Sequence, residues 1–292
     1  MAVTYTDHIR FGTVGSPQTT PSSGTPAAIE HSKQLGLAHL EIAWTRSVKV
    51  HDKTCDMIKT TAEAHQITLS VHAPYFINLN SQTAGKMAAS DERLLTAARK
   101  GYLAGARDIV FHPGSYHGQP AEQVYERVKQ KLIELTGILR EEGINVTLRP
   151  ETMGKPSMFG DLDEVLQLAR DVQGVQPCID WAHLHARRGD GTFNSYAEFD
   201  QALKQMREML GEDALKTMHC HISGIAYTSK GEKEHLPLNE ADIRYRELLQ
   251  ALIDHEVAGT AAIEAPVPFH TSDCLTFQAT YRRLMTLKTQ AD

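Results

Sequence analysis

Residues 144–151 read Ile-Asn-Val-Thr-Leu-Arg-Pro-Glu: a short, β-branched, apolar run that ends in an acid. Gly143 stands where the amphipathic stretch 120–142 before it must stop, and a second helical pattern follows over 161–172. A buried strand fed by one helix and leading into another is a unit of parallel sheet, because parallel neighbours need a crossover connection. The same pattern recurs at 9–14, 38–44, 67–73, 107–113, 175–181, 217–223 and 259–265. Helical stretches are expected at 26–35, 48–65, 91–105, 196–210, 241–256 and 272–288 as well. Eight strands and eight helices in strict alternation predict a single (β/α)8 barrel domain over residues 1–292. An open doubly wound sheet is the competing architecture, but its glycine-rich first turn is missing, with Gly12 and Gly15 a weak substitute. The segments 74–90, 184–195 and 224–240 read as longer loops at the barrel mouth.

Composition narrows the function classes. The chain has 292 residues, is 41% hydrophobic and carries a net charge of −6, which by itself argues against a broad nucleic-acid-binding surface. No run of eighteen apolar residues suggests a membrane span, and Met1 to Arg10 lack the pattern of a secretory leader, so a cytoplasmic protein is expected. Cys55, Cys178, Cys220 and Cys274 form no CxxC pair and read as buried thiols.

The decisive chemistry lies at the strand ends. Strand 3 ends in His72, strand 4 in His112, strand 5 in Glu151, strand 6 in Asp180 with His183 just beyond, and strand 8 in Glu264. Strand 7 carries His219 and His221 on one face, and His221 lies nearer the end; His219 reads as supporting or structural. In a barrel these ends converge on one face. Carboxylates forced together repel, and divalent cations relieve them; a mixed imidazole–carboxylate set favours zinc, manganese or iron. The bland alternatives are a helix cap at Asp180 with a solvated His183, and an Arg149–Glu151 ion pair.

At these residues the chain resembles the endonuclease IV family of zinc-dependent apurinic/apyrimidinic nucleases, within the xylose isomerase-like barrels. His72 to Leu79 (HAPYFINL), Phe111 to Gly114 (FHPG), Glu151 to Gly160 (ETMGKPSMFG) and Ile179 to His183 (IDWAH) are similar to family signatures, as are His221-Ile222-Ser223 and Ile263-Glu264. The resemblance implies two or three zinc ions per chain, with manganese possible. His72, His112 and Glu151 would hold the first; Glu151, Asp180, His221 and Glu264 the second; His183 and His235 would help hold the third. The family's D-x-H pair at the third site is absent from Gly231 to Leu238, where Glu232 is the first substitute and Glu234 the second.

The implied reaction is hydrolysis of DNA 5′ to an abasic site, with Glu151 bridging two ions and Glu264 orienting water. The implied partner is DNA containing abasic sites, met by a monomer. Tyr75 and Trp44 would contact sugar or an unpaired base, and Arg187, next to Arg188, and Lys233, near Lys230, would meet phosphate. Segment 39–50 stands where the family places a DNA-probing loop. Three divalent ions would offset the charge of −6. Two other readings stay open: a sugar isomerase or epimerase, which needs only one ion on Glu151, Asp180, His221 and Glu264, and a barrel that binds metal or a phosphorylated ligand without turnover.

Overall fold

The computed structural model describes residues 8–291. Eight parallel strands form the sheet: β1 (Ile9–Val14), β2 (His39–Ala43), β3 (Thr68–His72), β4 (Asp108–Phe111), β5 (Thr147–Pro150), β6 (Cys178–Asp180), β7 (Met218–Ile222) and β8 (Gly259–Ile263). Their order is β5-β4-β3-β2-β1-β8-β7-β6. Parallel bridges Leu148↔Val175 and Glu151↔Cys178 join the two end strands. The sheet therefore closes, which removes the open doubly wound alternative; Gly12 lies inside β1, paired with His39 and Ala262. The leader reading rests partly on residues 1–7, which lie outside the described residues.

Strand alternation explains where the apolar mass sits. Leu40 and Ile42, Leu69 and Val71, Ile109 and Phe111, and Leu148 point outward into one buried cluster beneath the helices. Ile179, Cys220, Ile222, Ala261 and Ile263 join a second such cluster. The alternate positions face the barrel axis, and most are polar: His39, Glu41, Ser70, His72, Arg149, Glu151, Asp180, His219, His221 and Thr260 are all buried. Low in the barrel, Arg149 Nε donates to Asp108 Oδ1 at 2.6 Å, and its other nitrogens reach the carbonyls of Pro177 (3.1 Å) and Thr217 (2.8 Å). Arg149 thus pairs with Asp108 rather than Glu151, which leaves Glu151 free for the mouth.

The expected loops are more ordered than the sequence suggested. Helix Ala84–Leu103 starts inside segment 74–90, where the Thr83 side chain accepts from Lys86 N. Helix Trp181–Arg187 follows β6 directly. Segment 224–240 is an antiparallel hairpin, Gly224–Thr228 with Gly231–Leu236, followed by a 3-10 turn at Leu238–Glu240. A short helix, Glu212–Lys216, was not expected. All four cysteines are free and buried. Among the described residues no helix is long and apolar enough to cross a membrane.

Asp108 and Arg149 are each under a tenth exposed. Removing one member of such a pair leaves a buried charge without its counterion. Asp108→Ala is expected to cost about 3–5 kcal/mol in urea-induced unfolding; a variant within 1 kcal/mol, on the order of a surface substitution, would contradict this account.

Candidate metal centre

Glu151, at the end of β5, is fully buried and stands among four imidazoles. Its Oε2 lies 3.3 Å from His72 Nε2 and 3.2 Å from His112 Nε2; its Oε1 lies 3.2 Å from His221 Nδ1 and 3.3 Å from His183 Nδ1. These side chains come from β3, from the residue after β4, from β7 and from the helix after β6. Among the described residues five groups bring ligand atoms within 4.8 Å of one another. Three involve the strand-end residues: His72, His112 and Glu151; Glu151, Asp180, His221 and Glu264; and Asp180, His183 and His235. The other two are His39, Glu41 and His219, and Cys178, His219 and His221.

The hydrogen bonds aim the ligand atoms. His72 Nδ1 donates to Ala73 O (2.9 Å), which leaves Nε2 facing Glu151. His183 Nδ1 donates to Thr152 O (2.9 Å), which leaves Nε2 facing Glu232 at 3.8 Å. His235 Nδ1 bonds Ser223 Oγ (2.6 Å), and its Nε2 lies 3.6 Å from Glu264. Asp180 divides its two oxygens. Oδ1 caps the following helix by accepting from His183 N at 2.7 Å, whereas Oδ2 is buried with no hydrogen-bond partner among the described residues. The helix-cap reading of Asp180 is therefore correct for one oxygen, while His183 is buried rather than solvated. A buried carboxylate oxygen without a donor is costly, and one facing imidazoles and further carboxylates fits a divalent cation. The donor set present thus suits zinc or a similar ion.

The third group depends on a backbone irregularity. On a regular strand, side chains alternate, so a pair two residues apart shares a face and a pair three apart does not. In the hairpin, Glu234 pairs with Ala226 but Glu232 pairs with Tyr227, so Lys233 is the extra residue of a β-bulge. The bulge resets the alternation and puts Glu232 on the side of His235. The rings of His183 and His235 lie 5.3 Å apart. Glu234 instead points outward, is over half exposed and pairs with Lys233 at 2.8 Å. The hairpin is seated by close backbone approach: Glu232 N donates to Gly154 O (2.9 Å), and a Cβ on Gly231, at φ +87°, would lie 2.4 Å from that oxygen.

The expected substrate-contacting residues divide. Tyr75 is half-exposed at the mouth, with its ring 5.1 Å from those of His112 and His72. Trp44 is half-buried and packs against the outer apolar layer. Arg187 departs from expectation: its guanidinium is engaged by the carbonyls of Met153, Lys155 and Met158 at 2.9–3.0 Å, so it braces the 153–158 loop. Lys233 is the exposed bulge residue, held by Glu234.

The sequence reading overlooked β2. His39 and Glu41 alternate with Leu40 and Ile42 as His219 and His221 alternate with Cys220, and that periodicity was the available signal. Glu41 is fully buried, accepts from Ser70 Oγ (2.5 Å) and His219 Nε2 (2.9 Å), and has Oε1 3.0 Å from His221 Nε2. Burial, then the nearby charge of His219, lowers His39 to about 3, so its ring is neutral.

Comparison with known proteins places this geometry. Residues 29–273 match the family model described as xylose isomerase-like TIM barrel. The chain belongs to that family. An uncharacterized protein of Methanocaldococcus jannaschii is 37% identical over 257 residues, covering 88% of this chain and 92% of its own length. A probable endonuclease 4 of Bacillus licheniformis is 29% identical over 222 residues, covering 73% and 70%. Among solved structures, endonuclease IV from Thermus thermophilus superimposes with a TM-score of 0.73 at 20% identity, over 94% of this chain and 99% of its own. A D-tagatose 3-epimerase-like protein gives the same TM-score at 16% identity, over 97% and 99%. The likeness to the two solved structures is one of fold.

Two outcomes follow from the centre's geometry. A Cβ at Gly154 would lie 2.7 Å from Glu232 Cβ and 3.0 Å from His183 Cδ2. Gly154→Ala should therefore push Glu232 away and lower the metal content found by elemental analysis, while Asp180, His221 and Glu264 keep theirs. The second outcome concerns protons. Burial alone would lower His72, but the hydrogen bond and charge of Glu151 outweigh it and raise this imidazole to about 9. In metal-free protein that shift stabilises the fold below about 6.5, and the contribution is lost as the pH rises through about 9. A metal must displace the proton, so uptake should release protons at neutral pH and apparent affinity should rise as pH approaches 9. Calorimetry in buffers of different ionisation enthalpy checks this; uptake without proton release would contradict it.

Proposed function

We propose that this chain, acting as one barrel domain, is a zinc-dependent phosphodiesterase of endonuclease IV type that cleaves DNA 5′ to abasic sites. The observation that carries the reading is the size of the constellation. Single-ion proton transfer on a sugar needs one carboxylate-rich group, yet here that group is flanked by His72 and His112 on one side and by His183, His235 and Glu232 on the other. Similarity to proteins named endonuclease 4 points the same way.

In this assignment His72, His112 and Glu151 hold one ion, Glu151, Asp180, His221 and Glu264 a second, and His183, His235 and Glu232 a third. When bound, such ions supply Lewis acidity toward the phosphodiester and an activated hydroxide near neutral pH. The chain supplies the geometry. Glu151 offers one oxygen to each of two neighbouring groups, which fixes their separation. Glu264 is the most accessible carboxylate of the second group and lies between His221 and His235, each 3.6 Å from Oε2. Burial would raise it, but the His221 charge and hydrogen bond bring it down to about 2. It is thus ionised at neutral pH, able to accept a hydrogen bond from the attacking water and orient it. Tyr75 presents a half-exposed ring above the histidines, and Phe76 beside it is 64% exposed. Both offer apolar surface to a sugar that carries no base, and such a nucleotide costs little to unstack. Arg187 stabilises the 153–158 loop and makes no phosphate contact in this scheme.

The sugar-epimerase reading is the rival, favoured by the equal TM-score of the D-tagatose 3-epimerase-like structure. Elemental analysis with an abasic-duplex nicking assay separates the two. Two or three zinc ions per chain and chelator-sensitive nicking are expected, with Glu264→Gln lowering kcat on the order of 100-fold or more. One ion per chain, an intact duplex and conversion of a ketose would establish the rival.

A further inference from the structure

Beneath the ligands, the barrel axis carries a buried polar network that the proposed chemistry does not use: His39, Glu41, Ser70, His219, Thr68 and Thr260. Its connectivity follows from one rule, that an ionised carboxylate only accepts, so every group facing it must donate. Glu41 is fully buried, and each group that faces its oxygens, Ser70 Oγ, His219 Nε2 and His221 Nε2, can donate. Ser70 Oγ donates to Glu41 Oε2, and Ser70 in turn receives His39 Nε2–H at 3.0 Å. His219 Nε2–H also donates to Oε2, and its Nδ1 accepts from Thr260 Oγ1 at 2.6 Å. One oxygen is thus fully engaged. The other, Oε1, has no hydrogen-bond partner among the described residues, and neither does His221 Nε2. These two orphaned atoms lie 3.0 Å apart, off the ideal hydrogen-bond line, and the Cys178 thiol comes within 4.8 Å of a His221 ring nitrogen.

We propose that Glu41 is the positioning residue of the metal centre: it fixes His221 from below through Nε2, so that Nδ1 is the atom presented to the ion. This inference rests on the assignment of His221 as a ligand. With Nε2–H directed at Glu41, the lone pair of Nδ1 points at Glu151 Oε1 (3.2 Å), Glu264 Oε2 (3.6 Å) and Asp180 Oδ2 (4.0 Å). A nitrogen that faces three carboxylates must carry either a proton or a metal ion, and only the ion takes up the lone pair. Glu41 therefore selects the tautomer, and its charge raises the basicity of the ring as a ligand. Ser70 and His219 hold Glu41 so that it cannot follow the ring if the ring turns. The network extends the centre to β2 through this contact of Glu41 with His221.

The test compares wild type, Glu41→Gln, Ser70→Ala and His221→Ala. Zinc affinity is measured by chelator competition, and ligand geometry by the visible spectrum of the cobalt(II)-loaded protein. Glu41→Gln should keep the metal count at saturating zinc, bind one ion about 10–100-fold more weakly and change the cobalt spectrum. Ser70→Ala, which removes one donor and leaves Glu41 in place, should change affinity in the same direction by less. His221→Ala should lose one ion outright. If both Glu41→Gln and Ser70→Ala match wild type in affinity and spectrum, the positioning role is wrong. If Glu41→Gln does not fold, Ser70→Ala decides the matter alone. If His221→Ala retains every ion, the ligand assignment fails, whatever Glu41 does.

Discussion

The structure turns on one carboxylate. Glu151 is fully buried, and four imidazoles approach its two oxygens within 3.2–3.3 Å. Burial would keep it protonated, but the charge of His221 and the surrounding hydrogen bonds hold it well below the ordinary carboxylate range. An anion in that position organises everything above it, because each neighbouring ring must turn a nitrogen inward. Asp180 behaves differently: burial dominates and raises it. Two carboxylates side by side with opposite shifts form a site with unequal proton affinities, and a cation removes the inequality by replacing the protons.

This centre requires an unusual division of labour in the fold. Barrels of this kind commonly fill their axis with bulky branched side chains. Here the branched residues face outward into two apolar clusters under the helices, while the axis is layered with polar groups. Arg149 and Asp108 lie low, the His39–Glu41–His219 network lies in the middle and the candidate ligand groups lie on top. Each layer is held by specific hydrogen bonds, so side-chain orientation at the mouth is inherited from below. The helices supply the stability, and the axis supplies direction.

Much of this was legible in the sequence because the relevant signals are periodic. Eight apolar runs, six of them ending in His, Glu or Asp, gave both the strand count and the face on which their ends meet. What escaped had local physical causes. Thr83 starts its helix seven residues early by a capping bond that hydrophobic periodicity does not register. Arg187 carries the charge of a phosphate-binding residue but meets backbone carbonyls, and only folding of the 153–158 loop brings those within reach. Glu41 sits one layer below the strand ends, where no strand-terminal signal marks it; its alternation with Leu40 and Ile42 matches that of His219 and His221 with Cys220.

The bulge at Lys233 separates distance along the chain from distance in space. Glu232 and His235 reach the same side of the hairpin although their spacing of three would ordinarily divide them. A pattern search that demands an aspartate two positions before the histidine will pass over any homologue built this way. Within such a family, gain or loss of a single residue between two ligands can be silent as long as the strand kinks to absorb it. Hairpin geometry, rather than a fixed string of letters, is then the trait by which relatives of this chain are best recognised.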